Sequence, residues 1–473
     1  MVKSRNTLFV RIVYFRMKLL ERSGHLEANS QNYLFSKIDL KKLIVPLVIE
    51  QFLTIAVGLI DSMMVASVGE SAVSAISLVD TVNILIINIF TALATGGAVV
   101  AGQYIGMKQE HNSCKAANQT LIFTTLIALF VMIIVYVLKN FILHTVFGQI
   151  EDDVANYANT YLLIVSASIP FIGMYNAGAA IFRAMGNSKV SMNTSLIMNL
   201  VNIVGNAILI YGFHMEIAGA AIPTLISRIV AAVVIVVRLG NQDLQIHIDR
   251  PFKLKFDWRM IKKILRIGIP NSLENSMFQL GKILVLTIVT AFGTRAITAN
   301  AVSNTIAMFQ ILPGMAICQA ILTVSSQCAG ANDYKQLDFY IKRLMKTIYV
   351  FVVAINVVVV AILPLILKAY NLSSETTEIA KQIIWYHAIC TCTIWPLSFA
   401  LPNSLRAAND VMFTMIVAIL SMWIFRIGAS VVIAKWLGFG VLGVWIAMTI
   451  DWFVRAIIFV IRYKYKIKSK CKI

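Results

Sequence analysis

Residues 46–69 read PLVIEQFLTIAVGLIDSMMVASVG, and residues 270–293 read PNSLENSMFQLGKILVLTIVTAFG. The two stretches are 224 residues apart, and both begin with proline, carry glutamate four residues later and end with glycine. The same register continues without a gap to Gly106 and Gly330, with 12 identical positions among 61. An apolar composition produces some identities by chance, but it does not readily align proline, glutamate, glutamine and glycine together. The chain therefore contains an internal repeat.

The composition places this repeat in a membrane. Only 13% of the 473 residues are charged, and the mean hydropathy is +0.80, whereas a soluble domain carries about 25% charged residues. A membrane-spanning helix needs about 20 mostly apolar residues. Twelve segments satisfy this: 43–67, 77–103, 118–140, 156–181, 189–212, 217–239, 264–291, 298–325, 344–368, 379–403, 411–434 and 440–462. We expect an all-α integral membrane protein with about twelve transmembrane helices.

The repeat divides these helices into two halves. Each half holds six spans, and because six is even, both halves enter the membrane from the same side and form parallel repeats. We therefore divide the chain into a basic cytosolic tail (1–40), an N-lobe with helices 1–6 (41–240), a cytosolic linker (241–263), a C-lobe with helices 7–12 (264–463) and a second basic tail (464–473). No small-residue cleavage site marks a signal peptide in the first tail.

The net charge of +19 follows the predicted topology. The basic residues flank apolar segments and form no patterned groove with aromatics, so we expect no nucleic acid partner. Connections after even-numbered helices are basic, with Lys108, Lys115, Arg183, Lys189, Arg250 to Arg266, Lys335, Lys342, Arg343 and Arg406. Connections after odd-numbered helices hold Glu70, Glu151, Asp152, Asp153, Glu216, Glu375 and Glu378, with Lys139, Arg295, Lys368, Lys381 and Lys435 as exceptions. The positive-inside rule then places both termini in the cytosol, with the chain in the cell membrane.

Catalytic signatures do not appear in the sequence. The segment nearest to a P-loop, Gly102 to Lys108, has the wrong spacing for phosphate binding. There is no Ser/His/Asp set and no metal-ligand constellation, and the six cysteines form no CxxC pair. We expect no enzyme activity and no resident cofactor, and a transporter driven by an ion gradient becomes the leading class.

Polar residues inside spans carry the functional information, because a charge at the bilayer centre costs ~2.5–3.5 kcal/mol on insertion scales. Asp61 on helix 1, Asn202 and Asn206 on helix 5, and Thr224 on helix 6 lie at a similar depth, in the outer halves of their helices. Asn202 and Asn206 are four residues apart and share a helix face. A hard cation such as sodium prefers carboxylate, amide and hydroxyl oxygens of this kind.

The repeat sharpens this hypothesis. Under the 224-residue shift the four positions fall on Val285, Arg426, Ser430 and Met448. A polar set present in one half only is hard to ascribe to the shared scaffold. The alternative is ordinary hydrogen bonding between helices, worth about 0.6 kcal/mol per pair. We predict that Asp61, Asn202, Asn206 and Thr224 form a site for the coupling ion, sodium or a proton.

Other charged residues recur in both halves. Glu50 and Glu274 each follow a proline by four residues, and Arg183 and Arg406 recur at the cytosolic side. They predict two structural pairs, Glu50–Arg183 and Glu274–Arg406, while Glu274 also remains a candidate second coupling carboxylate. Asp451 is a further candidate, although an intrahelical pair with Arg455 is the default and Arg426 is a competing partner.

These features together resemble the multidrug and toxic compound extrusion (MATE) family. The residues that carry the resemblance are Pro46, Asp61 and Gly69 on helix 1, the turn Gln103-x-x-Gly106, the run Arg183 to Asn187, the run Leu405 to Asp410, and Asp451-Trp452. The resemblance covers residues 41–460, nearly all of the chain.

The resemblance implies export of organic cations in exchange for sodium or protons by two six-helix lobes. It also implies a cation site anchored by the helix 1 aspartate, here Asp61, with a helix 5 pair matching Asn202 and Asn206 and a helix 6 threonine matching Thr224. Other family members use a helix 7 glutamate and a helix 10 aspartate. Glu274 lies on helix 7, but 379–403 contains no aspartate. The expected partners are small organic cations and membrane lipid, with the chain acting as a monomer.

Three alternatives differ in testable features. A lipid-linked sugar flippase, or another lipid flippase of the same superfamily, would have a cavity lined by several arginines. A major facilitator transporter would carry a Gly-x-x-x-Asp-Arg-x-Gly-Arg-type loop between helices 2 and 3, where this chain has Gly106 to His111. A membrane enzyme or channel would need convergent catalytic residues or a symmetric pore ring.

The topology can be tested by cysteine labelling from outside the cell. In a cysteine-free background, a membrane-impermeant reagent should label a cysteine placed in the 148–153 loop and fail to label one in the 241–259 loop. The reverse pattern would overturn the predicted orientation.

Overall fold

The described residues fold into twelve long helical units, besides short helical turns at Lys139–Phe141, Ile142–Val146 and Lys470–Lys472. The computed structural model describes residues 33–148, 150–248 and 256–472, so most of the predicted 1–40 tail lies outside it, and no strand occurs in the described ranges. The N-lobe units are α1 (Lys37–Ala66), α2 (Glu70–Gly106), α3 (Glu110–Val137), α4 (Asp152–Ser166 and Ile169–Ala184), α5 (Ser188–Gly212) and α6 (Ala218–Leu239). The C-lobe units are α7 (Trp258–Thr290), α8 (Thr294–Gly330), α9 (Tyr334–Ala369), α10 (Ser374–Thr393 and Pro396–Ala407), α11 (Val411–Trp436) and α12 (Gly440–Lys468).

Most of these units are long and apolar enough to cross a membrane. Nine do so as single helices in the described residues, and the bent pairs α4 (47°) and α10 (58°) raise the number to eleven. The twelfth unit, α7, is too polar to be counted as a span, because it carries Glu274, Lys282 and a basic first part. Under the 224-residue shift, however, α7 corresponds to α1. The all-α, multi-pass architecture predicted from the sequence is confirmed.

The helices extend beyond their apolar segments, so three predicted boundaries differ from the structure. The α7 helix begins at Trp258, inside the predicted linker 241–263, because the Asp257 side chain accepts hydrogen bonds from the backbone N–H of Arg259 (2.9 Å) and Met260 (3.1 Å). The Lys115 ammonium, 2.5 Å from Asp257, helps hold the pKa of this carboxyl below its usual range. Similarly, α1 starts at Lys37, before residue 41, and α12 continues to Lys468, past residue 463. Hydropathy identifies the apolar segment of a helix, but the hydrogen-bonded turns of the helix continue beyond that segment.

The two lobes approach most closely where α2 crosses α8. The connections after even-numbered units lie at one end of the helices, which we call the basic end. We call the opposite end the acidic end. At the basic end, a Cβ added to Gly106 would collide with the carbonyl oxygen of Gln327, and one added to Gly330 would collide with the carbonyl oxygen of Gln103. Only glycine permits this reciprocal backbone contact. Further along α2, a Cβ on Gly96 would lie 2.7 Å from the carbonyl oxygen of Ile264 on α7.

Two glutamine side chains join the lobes beside this crossing. Gln103 Nε2 donates to the carbonyl oxygen of Ala407 at 2.8 Å, and Gln327 Nε2 donates to the carbonyl oxygen of Ala184 at 2.7 Å. The two bonds are equivalent under the repeat, because Gln103 corresponds to Gln327 and each alanine directly follows the recurring arginine, Arg183 or Arg406. All hydrogen bonds between the lobes in the described residues lie between the middle of α2 and the basic end.

Each lobe also contains one of the predicted glutamate–arginine pairs. Arg183 Nη1 lies 3.5 Å from Glu50 Oε1, and Ser191 Oγ donates to the same carboxylate at 3.0 Å. Arg406 Nη2 donates to Glu274 Oε1 at 2.6 Å. Both predicted contacts are therefore present, and both carboxylates are largely buried. A buried ion pair of this kind destabilises the fold when one partner is removed.

The scaffold role of these pairs predicts that Glu50→Gln and Glu274→Gln each lower stability, by roughly 3 kcal/mol, because each leaves a buried arginine without its countercharge. The measurement is the thermal unfolding midpoint in detergent, with Glu151→Gln, at an exposed site, as the matched control. If Glu274→Gln keeps the wild-type midpoint yet abolishes transport, Glu274 is a coupling residue and the scaffold assignment fails.

The glycine crossing predicts that Gly106→Ala lowers the unfolding midpoint, because its Cβ meets backbone atoms of α8 that cannot rotate away; overpacking of this kind costs about 1–3 kcal/mol. Gly58→Ala on α1 is the control, since no atom lies within 4 Å of its added Cβ. Equal midpoints for the two variants would show that the crossing is not a fixed contact.

Candidate functional site

The four polar residues predicted to form a cation site lie together near the acidic end of the N-lobe. Asn206 Nδ2 donates to Asp61 Oδ1 at 3.1 Å, and the Asn202 amide lies 3.2 Å from Thr224 Oγ1. Asn202 and Asn206 are buried, with 8% and 2% of their surfaces exposed, while Asp61 is half-buried. One carboxylate, two amides and a hydroxyl from α1, α5 and α6 thus form a connected group, which we call the N-lobe cluster.

The Asn202 amide links Asp61 to Thr224. Its nitrogen donates to both carboxylate oxygens of Asp61, at 2.9 and 3.0 Å, and its oxygen lies 3.2 Å from the Thr224 hydroxyl, from which it accepts. With the bond from Asn206, the Asp61 carboxylate therefore accepts from two asparagine amides. This arrangement suits an ionised Asp61, because a carboxylate oxygen only accepts.

Local packing brings α5 and α6 close enough for this contact. A Cβ on Gly205 would lie 2.7 Å from Pro223 Cβ, so glycine at this position lets the two helices approach. Directly after Asn206, α5 widens into a π-helical turn over Ala207–Gly212, a feature frequent at functional sites. The chain between Asn202 and Thr224 is therefore shaped by Gly205, Pro223 and the wide turn.

Sequence reasoning missed a second charged group beside the N-lobe cluster. Asp80 on α2 accepts a hydrogen bond from Asn83 Nδ2 at 3.4 Å, and the charges of Asp61 and Arg228 and the Tyr161 hydroxyl are near enough to act on its carboxylate. Arg228 also donates to Ser168 Oγ at 2.7 Å. The signal was present, since Arg228 lies one helical turn after Thr224 and Asp80 interrupts an apolar segment.

The C-lobe holds a charged group of the opposite sign. Asp451 Oδ2 lies 2.9 Å from Arg455 Nη2, the predicted intrahelical pair, and 3.3 Å from Arg426 Nε, the predicted competitor. Ser421 Oγ donates to Asp451 Oδ1 at 2.6 Å. Asp451 is therefore shared by two arginines, and all three charged side chains are buried.

A lysine that the sequence analysis did not single out completes this group. Lys282 Nζ on α7 lies 5.0 Å from the centre of the Phe278 ring, and the Arg426 guanidinium lies 5.0 Å from the same ring. The two cations are near enough to repel each other. We call Lys282, Arg426, Arg455 and Asp451 the C-lobe cluster; it has three cations and one carboxylate. Glu50 and Glu274 join neither cluster and lie in their own arginine pairs.

The α10 unit, which contains no aspartate, carries a buried histidine among aromatic rings. His387 is buried beside Gln310, with its Nδ1 2.5 Å from Gln310 Oε1. Its ring meets Trp445 and Trp452 edge-on, with centroids 5.3 and 5.5 Å apart. In the part of the chain that the structure describes, no carboxylate forms an ion pair with His387.

Comparison with known proteins places these features in a family. A sequence model of the family described as MatE matches residues 46–208 and, 224 residues later, 270–432. The "Uncharacterized transporter YisQ" of Bacillus subtilis is 26% identical over 89% of this chain and 93% of its own length. The "Probable multidrug resistance protein YoeA" of the same organism is 26% identical over 90% of this chain and 93% of its own. A solved outward-facing multidrug resistance MATE family transporter superposes with a TM-score of 0.85 at 20% identity, over 92% of this chain and 96% of that one.

The two matches of the family model start at the same register as the internal repeat, so the repeat and the family assignment rest on the same two stretches. The chain belongs to the MatE family of membrane transporters.

Proposed function

We propose that this protein is a multidrug exporter, a secondary antiporter that exports organic cations in exchange for sodium or protons bound at Asp61. The name of YoeA, a probable multidrug resistance protein, supports the substrate class. The observation that carries the coupling role is the N-lobe cluster itself, in which a half-buried carboxylate meets two buried amides. A carboxylate inside a membrane span marks an ion pathway by default.

Loading of Asp61 changes which hydrogen bonds its neighbours make. An ionised Asp61 accepts from both amides. A sodium ion at Asp61 takes oxygen ligands, and a protonated Asp61 donates, so loading favours an amide oxygen facing the carboxyl group. Turning the Asn202 amide in this way breaks its bond from Thr224 on α6. The ion therefore alters contacts among α1, α5 and α6 without a large local displacement.

The α1 helix connects this change to the C-lobe. It packs against α5 within the N-lobe and against α8 across the lobe boundary. A change at Asp61 near the acidic end of α1 thus reaches a helix shared by both lobes. An ion drives such a rearrangement only through its different affinity for the two states. Organic cations compete because they favour the conformation in which Asp61 is ionised.

This mechanism predicts that Asp61→Asn abolishes ion-driven export, since asparagine keeps the shape and hydrogen bonding of the side chain but cannot carry the coupling charge. Ethidium efflux from whole cells, with sodium and pH gradients imposed separately, should fall to the level of cells without the protein. Asp243→Asn, an exposed acid-to-amide change in the connection after α6, is the matched control. Ion-coupled efflux at the wild-type rate by Asp61→Asn would refute the proposal.

The asparagines separate the two ions. Asn202→Ala and Asn206→Ala remove oxygens that a sodium ion needs, so they should raise the sodium concentration for half-maximal efflux if sodium is the coupling ion. A proton needs only Asp61, and both variants should then retain most of the pH-driven rate. The same assay, run on both variants under each gradient, therefore identifies the ion.

A further inference from the structure

The C-lobe cluster contains more positive charge than its own residues neutralise. Three cations, Lys282, Arg426 and Arg455, share one carboxylate. In the described part of the chain no carboxylate lies within 4.0 Å of Lys282. Uncompensated cations in a membrane-embedded lobe are costly, so their retention points to function.

The cluster also contains buried donors without a hydrogen bond. Among the described residues, Arg455 Nε and the indole Nε1 of Trp452 have no hydrogen-bond partner, and Arg426 Nε, 3.3 Å from Asp451 Oδ2, makes an ion pair but no aligned hydrogen bond. Arg455 and Trp452 are each 3% exposed. A buried donor left unpaired costs about 1–3 kcal/mol. The region therefore has room in its hydrogen bonding for a further negatively charged acceptor beside Asp451.

Aromatic rings give the region an apolar wall. The Phe278 and Phe399 rings meet edge-on at 6.3 Å, and Phe399 meets Trp452 at 5.7 Å. The Arg455 guanidinium lies 4.8 Å from the Phe399 centroid. Lys282 is exposed and Phe278 is half-buried, whereas the arginines lie behind them. The cluster therefore has an accessible edge at Lys282 and a buried, cationic interior.

The repeat shows that this charge is not part of the shared scaffold. Arg426 stands where the 224-residue shift places Asn202, and Val285 stands where it places Asp61. Equivalent places in the two lobes thus carry opposite charge, a carboxylate with amides in one and a guanidinium in the other.

We propose that the C-lobe cluster binds an oxyanion carried by an apolar body, such as the carboxylate of an aromatic substrate or the acidic headgroup of a lipid. The oxyanion accepts hydrogen bonds from Lys282 and Arg426, and the apolar body contacts Phe278 and Phe399. Binding of the oxyanion does not depend on ion coupling. If the protein exports compounds as proposed above, the cluster would let it recognise those that bear an acidic group; this consequence rests on the proposed function.

The test uses benzoate as the probe, with the purified protein in a neutral detergent. Sodium benzoate should change the tryptophan fluorescence saturably, and benzamide, its neutral counterpart, should not when sodium and ionic strength are matched with sodium chloride. Lys282→Gln should weaken benzoate binding by about tenfold or more, because it removes a charged hydrogen-bond donor, and Lys282→Arg should largely preserve it. Lys435→Gln, at another exposed lysine of the C-lobe, is the matched control and should bind as wild type.

Two results would overturn the proposal: no saturable benzoate binding, or equal affinity for benzoate in Lys282→Gln and Lys435→Gln. The cluster would then be a structural ion pair with cation–π contacts. Asp61→Asn should still bind benzoate, so failure of the benzoate test can be distinguished from failure of the efflux test. Added phosphatidylglycerol distinguishes the sources of the oxyanion: competition with benzoate assigns the site to lipid headgroups, and unchanged binding assigns it to soluble carboxylates.

Discussion

The reciprocal glycine crossing of α2 and α8 is the contact on which the arrangement of the two lobes depends. Gly106 and Gly330 bring two backbones together at the basic end, and Gln103 and Gln327 tie each lobe to the other beside them. Because the described interlobe hydrogen bonds stop near the middle of α2, relative motion of the lobes has fewer bonds to break towards the acidic end. The N-lobe cluster lies in that half, where such motion would alter its surroundings.

Repeat symmetry separates scaffold from function. Positions that recur make equivalent contacts: Glu50 and Glu274 each pair with an arginine, and Gln103 and Gln327 each bind the backbone carbonyl that follows that arginine. Positions that do not recur differ in charge: Asp61 corresponds to the neutral Val285, and the neutral Asn202 corresponds to Arg426. A scaffold duplicated once and then charged differently in each half can recognise a cation in one lobe and an anion in the other.

Much of this arrangement was readable in the sequence, because apolar segments, basic connections and the repeat are periodic signals. The similar depth of Asp61, Asn202, Asn206 and Thr224 in their spans also predicted that they lie together, because residues at equal depth on neighbouring helices can meet. Asp80, Arg228 and Lys282 were not singled out, because their significance comes from partners on distant segments, such as Tyr161 for Asp80. Helix ends were missed at Trp258 and Lys468, where capping and hydrogen bonding outlast the apolar segment. The way in which the Asn202 amide links Asp61 to Thr224 depends on three-dimensional hydrogen bonding that no sequence pattern encodes.

The central claim is that ion binding at Asp61 changes how the lobes are placed, and distances between spin labels measure this directly. One labelled pair would join repeat-related exposed sites at the acidic end, Glu70→Cys and Thr294→Cys, and a second pair would join Glu110→Cys and Lys335→Cys at the basic end. The account predicts that sodium or low pH shifts the distance distribution of the first pair, and that Asp61→Asn abolishes this response. An ion-dependent shift of the same size in Asp61→Asn would contradict it.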